Sequence, residues 1–122
     1  MASHRSAVLS AAIMSTVFAW PHCLQGGEVL TLRVTPTHAV APAFIRVIAS
    51  VESHEDNRAL EVVAESPDFF RSSRLGLNGA RAPRKQIVDF TNLPAGDYVI
   101  TAAVEGSASR RAVASEPVKV VR

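Results

Sequence analysis

The segment Phe90–Ile100 has the sequence FTNLPAGDYVI and indicates the fold more directly than any other part of the chain. Pro94 and Gly96 mark a tight corner, because proline fixes φ and glycine accepts backbone angles that other residues avoid. From Tyr98 to Val104, apolar side chains recur at every second position, which is the period of a strand with one buried face. The segment therefore predicts a strand, a corner and a second strand.

The same period of two recurs on both sides of this segment. Seven strands are expected: Glu28–Val34, Ala43–Val51, Ala59–Glu65, Ser72–Leu77, Lys85–Phe90, Asp97–Val104 and Arg110–Val121. Their predicted inward residues are Leu30, Leu32, Val34, Ile45, Val47, Ala49, Val51, Leu60, Val62, Ala64, Val88, Phe90, Tyr98, Ile100, Ala102 and Val104. Pro117 cannot donate to a sheet ladder and predicts an edge or a bulge. Seven short strands without helical periodicity predict an all-β, seven-stranded antiparallel sandwich, with a closed barrel as the alternative.

The corner resembles the entry into the sixth strand of immunoglobulin-like and fibronectin type III-like domains. The resemblance implies a tyrosine corner, in which the Tyr98 hydroxyl bonds to the backbone a few residues upstream. It also implies that Leu93 fills the end of the core and that Gly96 belongs to the corner. The antibody-type cysteine is replaced by Ile100, and the third strand has no tryptophan. The resemblance is therefore to a generic sandwich domain of a secreted bacterial-type protein.

Residues 1–27 differ in composition from the rest of the chain. Ala7–Trp20 carries no charge and follows a basic start, which is typical of a secretory signal peptide and too short for a membrane-spanning helix. Cys23 lacks the aliphatic and small residues that precede a lipidated cysteine. We therefore expect a signal peptide over 1–27, one domain over 28–122 and a secreted or periplasmic location, without a membrane span. A buried first helix of the domain is the alternative.

Length, charge and cysteine content exclude several classes of protein. A chain of 122 residues is too short for a Rossmann or TIM-barrel enzyme. Without Arg5, 12 basic residues face 11 acidic ones, and this balance disfavours a nucleic-acid partner. The single cysteine lies in the predicted leader, which disfavours disulfide scaffolds, zinc ribbons and redox chemistry.

Few side chains in the sequence could take part in catalysis or bind a metal. The loop His54–Asp56 has an imidazole and two carboxylates, but neighbouring side chains point apart, so we expect a solvated turn without metal or cofactor. There is no Gly-x-Ser-x-Gly motif, and only His38 and His54 follow the leader. These observations predict no catalytic residues and no enzyme. A small hydrolase or metal-dependent enzyme centred on His54 is kept as an alternative.

An aromatic pair precedes a basic segment in the middle of the chain. Five basic residues and no acidic one lie between positions 71 and 85. The residues predicted to contact a ligand are Phe69, Phe70, Arg71, Arg74 and Arg84. Exposed aromatics beside arginines suit a protein or glycan partner, while the oligomeric state stays open. The sequence thus predicts a secreted, non-enzymatic binding or structural-interaction module, with a carbohydrate- or envelope-binding accessory domain as the alternative.

Overall fold

The computed structural model describes residues 29–122, so the predicted signal peptide lies outside the described residues. The strands are β1 (Leu30–Thr35), β2 (His38–Val40), β3 (Ala43–Val51), β4 (Ala59–Ser66), β5 (Phe69–Gly76), β6 (Lys85–Leu93), β7 (Gly96–Glu105) and β8 (Arg110–Val121). A single 3₁₀ turn, Gly79–Arg81, lies between β5 and β6. No helix within 29–122 is long and apolar enough to cross a membrane.

Two open sheets face each other across the core. One sheet has the strand order β1-β3-β6, and the other has the order β2-β8-β7-β4-β5. The all-β prediction is confirmed, whereas the count of seven strands is wrong. The additional strand, β2, pairs in parallel with Lys119–Val121, so the sandwich is not antiparallel throughout. Strand β2, which lies between Pro36 and Pro42, has only three residues, too few to show a period, and the sequence pattern therefore did not reveal it.

Buried and exposed side chains alternate along the strands as the sequence predicts. All sixteen residues predicted to face inward are buried, and together with neighbours such as Ala112 and Val118 they form one apolar cluster. In β3 the inward side chains from Ala43 to Val51 alternate with outward ones. Since a shift of one residue would reverse every side chain, burial of this face fixes the strand register.

The tyrosine corner has the predicted geometry. Tyr98 is 1% exposed, and its hydroxyl donates to the carbonyl oxygen of Pro94 at 2.7 Å. Leu93 is fully buried at the end of the core. A Cβ atom on Gly96 would lie 3.3 Å from Oγ of Ser66, so β4 approaches the corner closely. The corner therefore ties the β6–β7 connection to the core.

Replacing Tyr98 with phenylalanine tests this bond. We expect Tyr98→Phe to lower the free energy of unfolding by about 1 kcal/mol, because the Pro94 carbonyl loses a buried donor while the ring stays in place. Urea unfolding followed by far-UV circular dichroism measures the change. An unchanged midpoint and slope would show that the hydroxyl does not stabilise the corner.

The same hydroxyl predicts a loss of stability at high pH. Burial raises the pKa of Tyr98 above its usual value of 10.0. The phenol ionises more readily in the unfolded chain, so its contribution is complete below pH 10.0 and falls as the pH rises above that value. The stability difference between wild type and Tyr98→Phe should therefore shrink in urea titrations above pH 10.0. A constant difference would contradict the raised pKa.

Candidate functional site

Two residues of the predicted ligand set lie on the inner side of β5, and one of them connects the two sheets. The ring of Phe69 meets that of Tyr98 edge to face, with the centroids 6.1 Å apart. The Arg71 guanidinium lies 5.0 Å from the Phe69 centroid, and its Nη1 donates to the Thr91 carbonyl at 2.6 Å. Because β5 and β6 belong to different sheets, Arg71 joins the two layers. The structure thus gives Phe69 and Arg71 packing and bonding partners within the domain.

The other three predicted residues lie on two different surfaces. Phe70, 62% exposed, and Arg74 point outward from β5, and Arg74 forms an ion pair with Glu105 at 2.8 Å. Arg84 precedes β6 in the other sheet, where its carbonyl accepts a hydrogen bond from the Val51 amide. The five predicted ligand residues are therefore divided between two faces of β5 and a loop of the opposite sheet. Of the two aromatic residues, Phe70 is more exposed than Phe69.

The loop around His54 has the geometry of a turn. The exposed His54 accepts the Asp56 amide hydrogen on Nδ1 at 2.9 Å. Hydrogen bonds from Ser107 hold the pKa of Asp56 below its usual range. Across residues 29–122, no three His, Cys, Asp or Glu side chains are grouped so that they could hold a metal ion.

Asn57 is a buried polar residue that the sequence pattern did not reveal. It is 1% exposed, its amide nitrogen donates to the Glu52 carbonyl at 3.0 Å, and its Oδ1 accepts from Arg111 at 2.6 Å. Its own carbonyl accepts from the Gly79 amide at 3.0 Å. Asn57 thus connects the β3–β4 loop with β8 and with the connection before β6, and its role is structural.

The outer face of the three-stranded sheet carries an apolar row between positive charges. The register aligns Arg33 with Ile48 and Ile48 with Ile87. One row further along the sheet, Ser50 of β3 pairs with Lys85. A depression in this face is lined by Thr31, Arg33, Ile48, Ser50 and Lys85. We call the surface formed by Arg33, Phe44, Arg46, Ile48, Lys85 and Ile87 the basic sheet face.

The charges of the basic sheet face differ in how they are compensated. Arg46 forms a bidentate ion pair with Asp89, in which Nε donates to Oδ1 at 2.8 Å and Nη2 donates to Oδ2 at 2.9 Å. This pair raises the pKa of Arg46 and lowers that of Asp89. The Arg46 guanidinium also lies 5.9 Å from the Phe44 ring centroid. Arg33 and Lys85, in contrast, form no ion pair with any residue of the described range. Two uncompensated cations therefore flank the apolar row.

Large apolar side chains on this face remain in contact with solvent. Phe44 is 50% exposed and Ile87 is 51% exposed, whereas the side chains between the two sheets are buried. Exposed apolar side chains grouped within a charged surface are typical of contact sites. A signal existed in the sequence, because Phe44 and Ile48 interrupt the otherwise polar outward positions of β3. Ile87, from β6, joins them only once the register is known.

Comparison with known proteins shows a likeness of fold. No protein-family model and no curated protein sequence matches the chain. A solved superoxide reductase (neelaredoxin) from Ignicoccus hospitalis is similar with a TM-score of 0.59 and 14% identity, covering 82% of this chain and 92% of that one. A variant of the same protein gives a TM-score of 0.59, 15% identity and coverage of 82% and 91%. The CARDB domain of the PF1109 protein from Pyrococcus furiosus, in complex with di-metal ions, gives a TM-score of 0.46, 17% identity and coverage of 75% and 92%.

The prediction that the chain is not an enzyme is contradicted by this comparison. It relied on the lack of a catalytic motif and on the small size of the domain, yet a solved protein of similar length and fold is a superoxide reductase. Small size and this fold therefore do not exclude catalysis. At 14% identity the likeness concerns the fold alone, since one fold can carry many different functions. The chain is thus similar in architecture to a small all-β enzyme.

Proposed function

We propose that the chain is a secreted, immunoglobulin-like binding domain whose contact surface is the basic sheet face. The observation that carries this proposal is the half-exposed side chain of Ile87, in one row with Ile48 and the unpaired Arg33 and next to the unpaired Lys85 on the same side of β6. Apolar side chains supply the area removed from water on binding, and flanking charges set partner choice and orientation.

The immunoglobulin-like part of the proposal is supported by the corner and by the two-sheet arrangement. The hydroxyl bond of Tyr98 to Pro94 is the device that the resemblance implied. The secreted part is supported by the uncharged segment Ala7–Trp20, which has the length and composition of a signal peptide core.

The chemistry of the surface favours a protein partner that presents carboxylates at the contact. Arg33 and Lys85 attract carboxylates, while Ile48 and Ile87 need an apolar surface to cover them. The face follows three neighbouring strands, so it is broad, whereas small-molecule sites are concave and enclose their ligands. The alternative of carbohydrate binding depends on Phe70, because Arg71 and Arg74 are held by Thr91 and Glu105. It stays a prediction, which a loss of glycan binding in Phe70→Ala would support.

Photo-crosslinking in producing cells tests the proposed surface. The full chain carries a photoreactive amino acid at Ile87 on the basic sheet face or, as the matched control, at Ala108 in the exposed β7–β8 loop. We expect a crosslinked adduct of higher mass from position 87 and none from position 108. No adduct at position 87, or equal adducts at both positions, would contradict the proposed surface.

A further inference from the structure

The outer face of the five-stranded sheet carries the opposite charge. Glu61 and Glu65 point outward from β4, on either side of the outward-facing Val63. On the neighbouring strands, Glu105 is paired with Arg74 at 2.8 Å and Asp97 with Lys119 at 3.5 Å. Glu61 and Glu65 form no ion pair within the part of the chain that the structure describes. We call the surface formed by Glu61, Val63, Glu65, Phe70, Arg74 and Val99 the acidic sheet face.

The two faces match in the number and spacing of their unpaired charges. Arg33 and Lys85 are two strands and one row apart, so their Cα atoms are separated by about 12 Å on a regular sheet. Glu61 and Glu65 are four residues apart on one strand, which separates their Cα atoms by about 13 Å. Two cations on one face can therefore meet two carboxylates on the other at the same time.

Apolar side chains lie in corresponding positions on the two faces. Ile48 is on the central strand between Arg33 and Lys85, as Val63 is between the two glutamates. Glu65 is flanked across the strands by Phe70 and Val99, which are 62% and 49% exposed. Each face thus combines a pair of unpaired charges with exposed apolar side chains, and the charges have opposite sign.

We infer that the partner of the basic sheet face is the acidic sheet face of a second copy of this chain, an inference that rests on the proposed function. The two faces lie on opposite sides of the sandwich, so the contact is heterologous. Because heterologous contacts that do not close into a ring extend without limit, the copies stack into open chains. A face of only three to five strands buries a small area, which places the contact among weak, transient interfaces. The charge pairing makes it sensitive to salt.

Sedimentation velocity of the full chain with matched charge variants tests the inference. Variant one carries Arg33→Glu and Lys85→Glu, variant two carries Glu61→Lys and Glu65→Lys, and Arg122→Glu is the control. We expect the average mass of wild type and control to rise between about 10 µM and 1 mM, and to fall to that of a monomer in about 1 M NaCl. Each double variant should remain monomeric, while an equimolar mixture of the two should associate, because each retains the face that the other has lost.

Two results would overturn the inference. One is a wild-type chain that stays monomeric over the whole range, and the other is a mixture of the double variants that fails to associate. Mass spectrometry of the adduct at position 87 separates this inference from the proposed function. An adduct containing another protein, with a monomeric wild type, overturns self-association and leaves the binding surface standing. Absence of any adduct removes the binding surface itself.

Discussion

Replacing Asn57 with alanine is expected to lower the free energy of unfolding by about 3 kcal/mol. The substitution removes the acceptor for Arg111 at 2.6 Å and the donor to the Glu52 carbonyl at 3.0 Å. Asn57 is 1% exposed, so water cannot easily replace either partner. A lost hydrogen bond to a charged group costs about 1.5–3 kcal/mol, and the partly buried Glu52 carbonyl that is left without its donor adds to this loss. Urea unfolding followed by two probes measures the loss.

Two variants in the same loop serve as controls for Asn57. Asn57→Asp keeps an acceptor for Arg111 and loses the donor to Glu52, so it should be less destabilising than alanine. Ser53→Ala changes an exposed side chain and should leave stability within about 0.5 kcal/mol of wild type. If Asn57→Ala unfolds at the same urea concentration as wild type, the network of Asn57 does not hold the loops together.

Reversing the two unpaired charges of the basic sheet face should reduce partner binding at least about tenfold. Arg33→Glu together with Lys85→Glu replaces two attractive contacts with two repulsive ones, and a change of about 1.4 kcal/mol in binding free energy is already a factor of ten. The measured quantity is the yield of the crosslinked adduct formed from position 87 in producing cells. Both side chains are exposed and unpaired within the described range, so thermal stability should stay close to that of wild type.

A single charge reversal elsewhere provides the comparison for this variant. Arg122 lies near Ala41 and Pro94, at the end of the sandwich opposite Lys85. Arg122→Glu should leave the adduct yield unchanged. Equal losses in Arg122→Glu and in the double variant would attribute the effect to net charge rather than to the face.

The fold could be predicted because one-sided burial makes the sequence alternate. The inward set from Leu30 to Val104 followed from period-two patterning, and the corner at Tyr98 followed from a short motif. Strand β2 was not predicted, because a strand of three residues is too short to show a period. The burial of Asn57 was not predicted either, because an asparagine in a polar loop has the same sequence signature whether it is solvated or buried among backbone groups.

The candidate surface could not be predicted because it exists only through strand register. Arg33, Ile48 and Lys85 are far apart in the sequence and become neighbours when β1, β3 and β6 pair. The aromatic and arginine residues near position 70 were conspicuous as a local run. However, a strand sends consecutive side chains to opposite faces, so Phe69 and Phe70 were separated by the fold. Neighbouring residues on one strand are thus divided between the two faces of the sheet, whereas residues aligned across strands lie on the same face.

The two lysines of the sequence provide the most direct test of the contact surface. Lys85 lies on the basic sheet face and Lys119 on the outer side of β8, and both are exposed. An amine-acetylating reagent is applied to intact producing cells and to the dilute purified chain, and mass spectrometry gives the extent of labelling at each lysine. We expect Lys85 to be labelled several-fold less in cells than in the dilute chain, because a partner covers it. Labelling of Lys85 to the same extent in both samples would contradict the basic sheet face as the binding surface.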